Sequence, residues 1–427
     1  MPSMPSSPQS ATASAAGEPG VVPGAADAAP PVRERMTRSE LRASLSLASI
    51  FALRMLGLFL ILPVFAEFAR GLPDGHDAQR VGLAMGIYGL MQAFLHIPLG
   101  WLSDRVGRKP VMIGGLLLFV AGAIIAACSD TLMGITIGRA LQGTGAISAA
   151  ITACIADLTR ERHRTKAMAM VGGSIGLTFA LSLVIASPLL EAIGMSGIFW
   201  LMAVLGVVAI GVTIFVVPTP PAPHPVQLPF RSVLVNPDLF RLNVGVLALH
   251  ASQVAMFMVV PTMLSAAGMP LDQHWKVYLP VVLVSFILML GPMMAAERYG
   301  RVRVVLLGSV ALMTVVQVLF AAVQGLWPIV GVLLLFFVAF NVLEAMQPSL
   351  VSRYAAASRG AALGIYNTTQ AMGLFLGGVI GGWLLEHEGR AAVFIGCAVV
   401  LLAWLIIAWR MKPPPARGQA EAPAAAS

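Results

Sequence analysis

Twelve apolar runs, each about long enough to cross a lipid bilayer, constrain this chain more than any other feature of it. They fall at 44–66, 81–103, 111–128, 131–155, 167–190, 197–217, 241–264, 276–296, 303–322, 327–349, 360–384 and 391–409. A helix needs about 20 predominantly apolar residues to span the hydrocarbon core. The fold class is therefore an all-α integral membrane protein with twelve transmembrane helices. Composition agrees: 58% of residues are hydrophobic and 11% charged, whereas a soluble domain is about a quarter charged. Such a chain lacks the polar surface that a water-soluble fold requires.

The runs divide six and six. Residues 218–240, opening with Pro218-Thr219-Pro220-Pro221-Ala222-Pro223, form the longest internal break. This gives an N-terminal six-helix bundle at 41–217, a cytoplasmic linker at 218–240 and a C-terminal six-helix bundle at 241–409. Residues 1–40 and 410–427 are rich in Ala, Pro, Ser and Gly, a composition that builds no core and reads as disordered cytoplasmic termini. The first run starts well inside the chain and continues as a long helix, so it reads as a span rather than a cleaved leader.

The charges test this map. With the N-terminus and every even-numbered loop on one side, that side holds 21 of the 27 Lys and Arg residues. The other side holds Arg70, Arg80, Lys276 and Arg390, and Arg54 and Arg139 lie within runs. The positive-inside rule then places both termini in the cytoplasm. The net charge of +8 thus finds its partner in anionic lipid headgroups, not in nucleic acid. Cys128, Cys154 and Cys397 lie in apolar runs without disulfide or metal-ligand spacing and read as buried thiols. No cofactor or metal is expected.

A charged turn, Gly100-Trp101-Leu102-Ser103-Asp104-Arg105-Val106-Gly107-Arg108-Lys109-Pro110, joins the second and third runs. Gly107 suits a tight turn and Pro110 the first turn of a helix. A degraded echo, Glu297-Arg298-Tyr299-Gly300-Arg301, stands at the corresponding place in the second half. Arg164-Thr165-Lys166-Ala167 and Arg359-Gly360-Ala361-Ala362 open the fifth and eleventh runs in a similar way. The chain reads as a duplication, with two bundles related by an axis along the membrane normal and a path between them.

The pattern Gly100-x-x-x-Asp104-Arg105-x-Gly107-Arg108-Lys109 resembles the hallmark of the major facilitator superfamily, and the resemblance covers about 44–409. Arg54-Met55-Leu56-Gly57 with Leu62-Pro63, and Ser174-Ile175-Gly176-Leu177-Thr178-Phe179-Ala180-Leu181, are similar to YajR-type bacterial transporters in its drug:proton antiporter branch. The resemblance implies a bacterial inner-membrane location and a conformational latch. In that latch Asp104 meets the start of the eleventh helix, near Gly360, in the outward-open state, and Arg108 pairs with an acid ending the fourth helix, here Asp157. Gly100, Arg105 and Gly107 complete the latch motif. A purely topogenic loop is the alternative. Two departures stand out. Late in the fifth run, Ile185-Ala186-Ser187-Pro188 keeps the proline of an antiporter motif but not its glycines. Glu297 replaces the aspartate in the second copy of the turn, so the second half is expected to latch more weakly.

An ionised group in lipid is costly, so charges within spans usually face the protein interior. Arg139, in Gly138-Arg139-Ala140-Leu141-Gln142-Gly143-Thr144-Gly145, resembles the superfamily's second motif, for which a part in proton coupling is implied. A guanidinium stays protonated, so that part is to tune a neighbouring carboxylate; a hydrogen-bond anchor is the alternative. Arg54 is either a tie between helices or a substrate or proton group. Glu344 is the carboxylate deep in a run and the leading proton carrier, with an ion pair to a buried arginine as the alternative. Glu67, ending the first run, is the second choice or a plain helix end. His96 and His250 are of a type that titrates near neutrality, or serve as interhelical donors. Gln92, Gln253, Asn341, Asn367 and Gln370 line the path or hold helices together.

The sequence carries no Gly-x-x-x-x-Gly-Lys loop, nucleophile cluster or metal constellation. It reads as a proton-coupled secondary transporter, not an enzyme, exporting hydrophobic or amphipathic small molecules as a functional monomer in lipid. The alternatives are an importer of a polar metabolite and a non-transport membrane receptor or enzyme.

Overall fold

The computed structural model describes residues 36–220, 230–355 and 358–412. The disordered ends expected at 1–40 and 410–427 fall largely on residues outside these, as does 221–229 of the linker. In chain order the helices are α1 (Arg38–Ile61), α2 (Phe65–Ala69), α3 (Ala78–Val106), α4 (Arg108–Ala127), α5 (Leu132–Thr144), α6 (Ser148–Leu158) and α7 (Glu161–Gly211). After a π-turn at Val212–Val216 follow α8 (Phe230–Val235), α9 (Pro237–Ala266), α10 (Trp275–Arg298), α11 (Val302–Ala322), α12 (Leu326–Tyr354), α13 (Arg359–Glu388) and α14 (Arg390–Ala408).

Among the described residues, eleven helical segments are long and apolar enough to cross a membrane. One of them runs 51 residues, and Gly194 inside it has φ 68 and ψ 178. Glycine alone adopts that backbone at little cost, so the segment holds two spans and the count returns to twelve. Two other spans break where continuous helices were expected. The first stops at Ile61 and resumes as α2, because Pro63 denies the helix a backbone donor. The fourth breaks over Gly145–Ile147, after the weak helix formers Gly143-Thr144-Gly145. Helix α9 starts inside the expected linker. The Asn236 side chain accepts from the amides of Asp238 (2.9 Å) and Leu239 (3.2 Å), and Pro237 takes the first helical position. Cys154 and Cys397 are buried, but Cys128, in the non-helical turn that ends α4, is exposed.

The start of α1 and the end of α14 lie on one face, called here the terminal face. There Arg42 of α1 donates to the carbonyls of Phe215 (3.3 Å) and Val216 (3.0 Å), and Lys109 of α4 to that of Ile214 (3.5 Å). In the second half Arg241 of α9 donates to the Ile407 carbonyl (3.2 Å) and Arg303 of α11 to that of Trp409. In each half, then, bases from the first and third spans cover the carbonyl end of the sixth. Cations there satisfy orphan acceptors and oppose the helix dipole. Part of the basic excess on this face is thus structural, in addition to any role toward lipid.

Across the molecule α3 packs most extensively on α13, and α1 on α7. The α3–α13 contact is backbone on backbone: a methyl group at Gly82 would stand 2.1 Å from the Gly378 carbonyl oxygen, and one at Gly378 2.3 Å from that of Gly82. Small residues of this kind let helices close up where lipid supplies no hydrophobic drive.

Candidate functional site

Three places gather the residues singled out above. The first is the charged turn on the terminal face. Gly107, φ 106, separates α3 from α4 and requires glycine. It turns the chain so that Arg108, buried at the start of α4, points back at the end of α3. Arg108 Nη1 donates to Ser103 Oγ (2.9 Å) and to the Asp104 carboxylate, and its Nε donates to Asp157 Oδ2 (2.9 Å) at the end of α6. One guanidinium thus joins three elements. Arg105 points away and stacks on Trp101, 3.8 Å from the ring. Gly100 faces Ala149 of α6. The partner of Asp104 among the described residues is Arg108, with no hydrogen bond or ion pair to the start of α13. In the second copy of the turn Gly300 again has positive φ, 64.

At the opposite ends of the same two helices the contact is closed. There Glu386 Oε2 of α13 accepts from the amide of Ala78, the first residue of α3, at 2.7 Å. Gly82, Gly86 and Gly89 face Gly378, Phe375 and Ala371, respectively, along this end of the contact. Toward the terminal face Phe94, Ile97 and Trp101 of α3 are exposed. Sequence reading missed this seam, although the spacing Gly82, Gly86 and Gly378, Gly382 is a close-packing signal.

The third place is the interior. In the second half His250 of α9 is buried. Its Nδ1 lies 3.0 Å from the Val246 carbonyl, which only accepts, so Nδ1 carries the hydrogen. In the neutral ring Nε2 is then an acceptor, and the Gln370 amide of α13 donates to it at 2.6 Å. Glu344 Oε2 of α12 stands 3.5 Å from the same Nε2. Glu344 keeps 31% of its side chain exposed. Its partner among the described residues is this histidine, not a buried arginine. Nearby, Phe179 of α7 makes ring contacts with Phe59 of the first half and with Phe257, Phe337 and Phe340 of the second.

In the first half Arg139 donates to the carbonyls of Ala84 (2.7 Å) and Met85 (3.1 Å), tying α5 to α3. This is the geometry of the hydrogen-bond anchor. Tyr88 lies between the two buried arginines, 5.8 Å from each guanidinium. Arg54 Nη1 donates to Ser148 Oγ of α6 at 3.1 Å. His96 is buried beside the backbone of Gln92, one turn earlier on α3. Glu67 sits on α2 with Arg70 3.7 Å away.

The comparisons with known proteins agree with this architecture. The family model described as Major Facilitator Superfamily matches twice, at 46–296 and 284–426. The inner membrane transport protein YajR of Escherichia coli is 42% identical over 390 residues, 89% of this chain and 86% of the relative. A class B tetracycline resistance protein of Escherichia coli is 33% identical over 172 residues, 39% of this chain and 42% of the relative. The crystal structure of the human organic anion transporter MFSD10 superposes with a TM-score of 0.64 at 18% identity, over 87% of this chain and all of that one. The chain belongs to the Major Facilitator Superfamily. It is an integral inner-membrane protein related to YajR-type transporters, and it moves small molecules by secondary active transport rather than transforming them.

Proposed function

We propose that the protein exports hydrophobic or amphipathic small molecules in exchange for protons, with His250 and Glu344 as the proton-handling pair. The observation that carries this reading is His250 Nε2, which faces a donor, Gln370, at 2.6 Å and an acid, Glu344, at 3.5 Å. A proton arriving at Nε2 turns it from acceptor to donor. It then favours the Glu344 carboxylate and no longer suits the Gln370 amide nitrogen. One proton thus exchanges the contacts between α9, α12 and α13, and α13 is the helix that packs on α3.

In this reading the terminal face is cytoplasmic, as the distribution of Lys and Arg suggests. Residues 41–217 and 241–409 act as the two moving bundles. The turn around Asp104, Arg108 and Asp157 holds the cytoplasmic side, and Arg139 serves as a structural tie. One chain holds the whole path. Partial similarity to a tetracycline resistance protein supports export, and the aromatic cluster around Phe179 offers an apolar body a place to rest.

The test is flux in proteoliposomes under an imposed pH gradient, with a panel of amphipathic solutes beginning with tetracycline. Transport is expected to follow the gradient in the wild type and to lose that dependence in Glu344→Gln. Flux that ignores the gradient, and persists unchanged in Glu344→Gln, overturns proton coupling.

A further inference from the structure

The fourth span breaks between α5 and α6, and the start of α6 is buried: Ile147 is 0%, Ser148 2% and Ala150 1% exposed. The first helical bond there runs from the Ile151 amide to the Ile147 carbonyl (3.0 Å). The amides of Ser148, Ala149 and Ala150 therefore precede the bonded turn, and no side chain caps them. The start of a helix carries roughly half a positive charge and seeks an acceptor.

Arg54 enters at this point. Its Nη1 is on Ser148 Oγ, the first residue of α6, while Nε and Nη2 are buried without a partner. Those two atoms form the edge of the guanidinium whose parallel donors match a carboxylate. Arg54 is 2% exposed. The Tyr88 hydroxyl is also unpartnered among the described residues, and His96 lies near enough to Arg54 to act on it electrostatically. Five carboxylates of this half are engaged elsewhere: Glu40 with Arg160, Asp104 and Asp157 with Arg108, Glu67 with Arg70, Asp77 with Arg80. Among the described residues none forms an ion pair with Arg54. A positive helix end and a guanidinium side by side in a medium of low dielectric call for an anion.

We infer that Arg54 and the start of α6 form a binding site for the anionic head of the cargo, a carboxylate or similar oxyanion carried on an apolar body. The inference rests on the export reading and narrows its substrate class to amphipathic anions. Nε and Nη2 take the two oxygens, and the free amides of α6 face the same charge. The site is closed in this conformation, so the head enters when α1 and α6 part.

Three probes with one aromatic body separate the head from the tail: 2-naphthoate, 2-naphthylmethanol and 2-naphthylmethylammonium. Their equilibrium binding to the purified full chain in neutral detergent is compared for the wild type, Arg54→Gln, Arg54→Lys and Ser148→Ala. Naphthoate is expected to bind best to the wild type and about tenfold more weakly to Arg54→Gln, with the alcohol unaffected. Arg54→Lys, which keeps the charge and loses the fork, and Ser148→Ala are expected to fall between. They decide the matter if Arg54→Gln does not fold. The proposal is overturned if the three heads show no preference, or if naphthoate binds Arg54→Lys and Ser148→Ala as tightly as the wild type. It is also overturned if replacing gluconate by chloride stabilises the wild type but not Arg54→Lys while naphthoate has no advantage, since the site then holds an inorganic anion. Binding needs no gradient, so this result is independent of the flux measurement that tests proton coupling.

Discussion

His250 shows how much of this protein is decided by which atom a ring nitrogen faces. Histidine and glutamate within apolar runs were legible as candidates, because lipid makes any ionisable group there expensive. Their pairing was not legible: they lie on different helices, α9 and α12, and only packing brings them to 3.5 Å. His250→Gln preserves a polar side chain but not a titratable one. Its flux is expected to fall about tenfold or more under a pH gradient while solute exchange without a gradient continues; loss of both in parallel would point to misfolding instead. Arg108 is a mixed case, since the motif pointed to Asp157 as its partner but not to Asp104, which it also holds. Replacing it with alanine leaves Asp104 and Asp157 without their shared cation. Both carboxylates stay partly exposed, 25% and 30%, so the expected loss of stability is moderate, about 1–3 kcal/mol. It would be read as a lower melting temperature in detergent, partly restored in Arg108→Lys.

Among the elements, the spans themselves were legible because length and hydropathy are local properties. Their interruptions were only partly so. Pro63 and the Gly143-Thr144-Gly145 stretch stand in the sequence, yet the first and fourth runs are apolar across them and read as continuous. The α3–α13 seam needed the tertiary structure, since glycine spacing does not name the partner helix. Gly82→Val tests it. The added side chain meets the Gly378 carbonyl, with a Cβ at 2.1 Å, and only separation of the helices relieves that. Spin labels at Gln79 and His387, both exposed, are expected to report a longer and broader distance than in the wild type. An unchanged distance in a folded protein would show that the seam yields without opening.

At the scale of the whole molecule, α3 and α13 carry a carboxylate at each end of their contact. Glu386 meets the start of α3 at the closed end, whereas Asp104, at the terminal face, is held by Arg108 and makes no hydrogen bond or ion pair to α13 among the described residues. The two positions are expected to respond in opposite directions. Glu386→Gln weakens the closed end and favours the conformation shut at the terminal face; Asp104→Lys favours the one seen here. Thiol labelling of Gly364→Cys, a position with open space around it, is expected to slow in the first variant and quicken in the second. Equal labelling rates would exclude a gating role for either carboxylate. The sequence by itself determined an all-helical membrane protein, its duplication and its charged turn, because apolar length, repeated motifs and the sidedness of Lys and Arg are written along the chain. Only the tertiary structure decided that Glu344 faces His250, that Arg54 meets the start of a broken helix, and that α3 is shut against α13 at one end. Those outcomes depend on contacts between residues far apart in sequence, where the helices' relative rotation and depth, not local composition, select the partner.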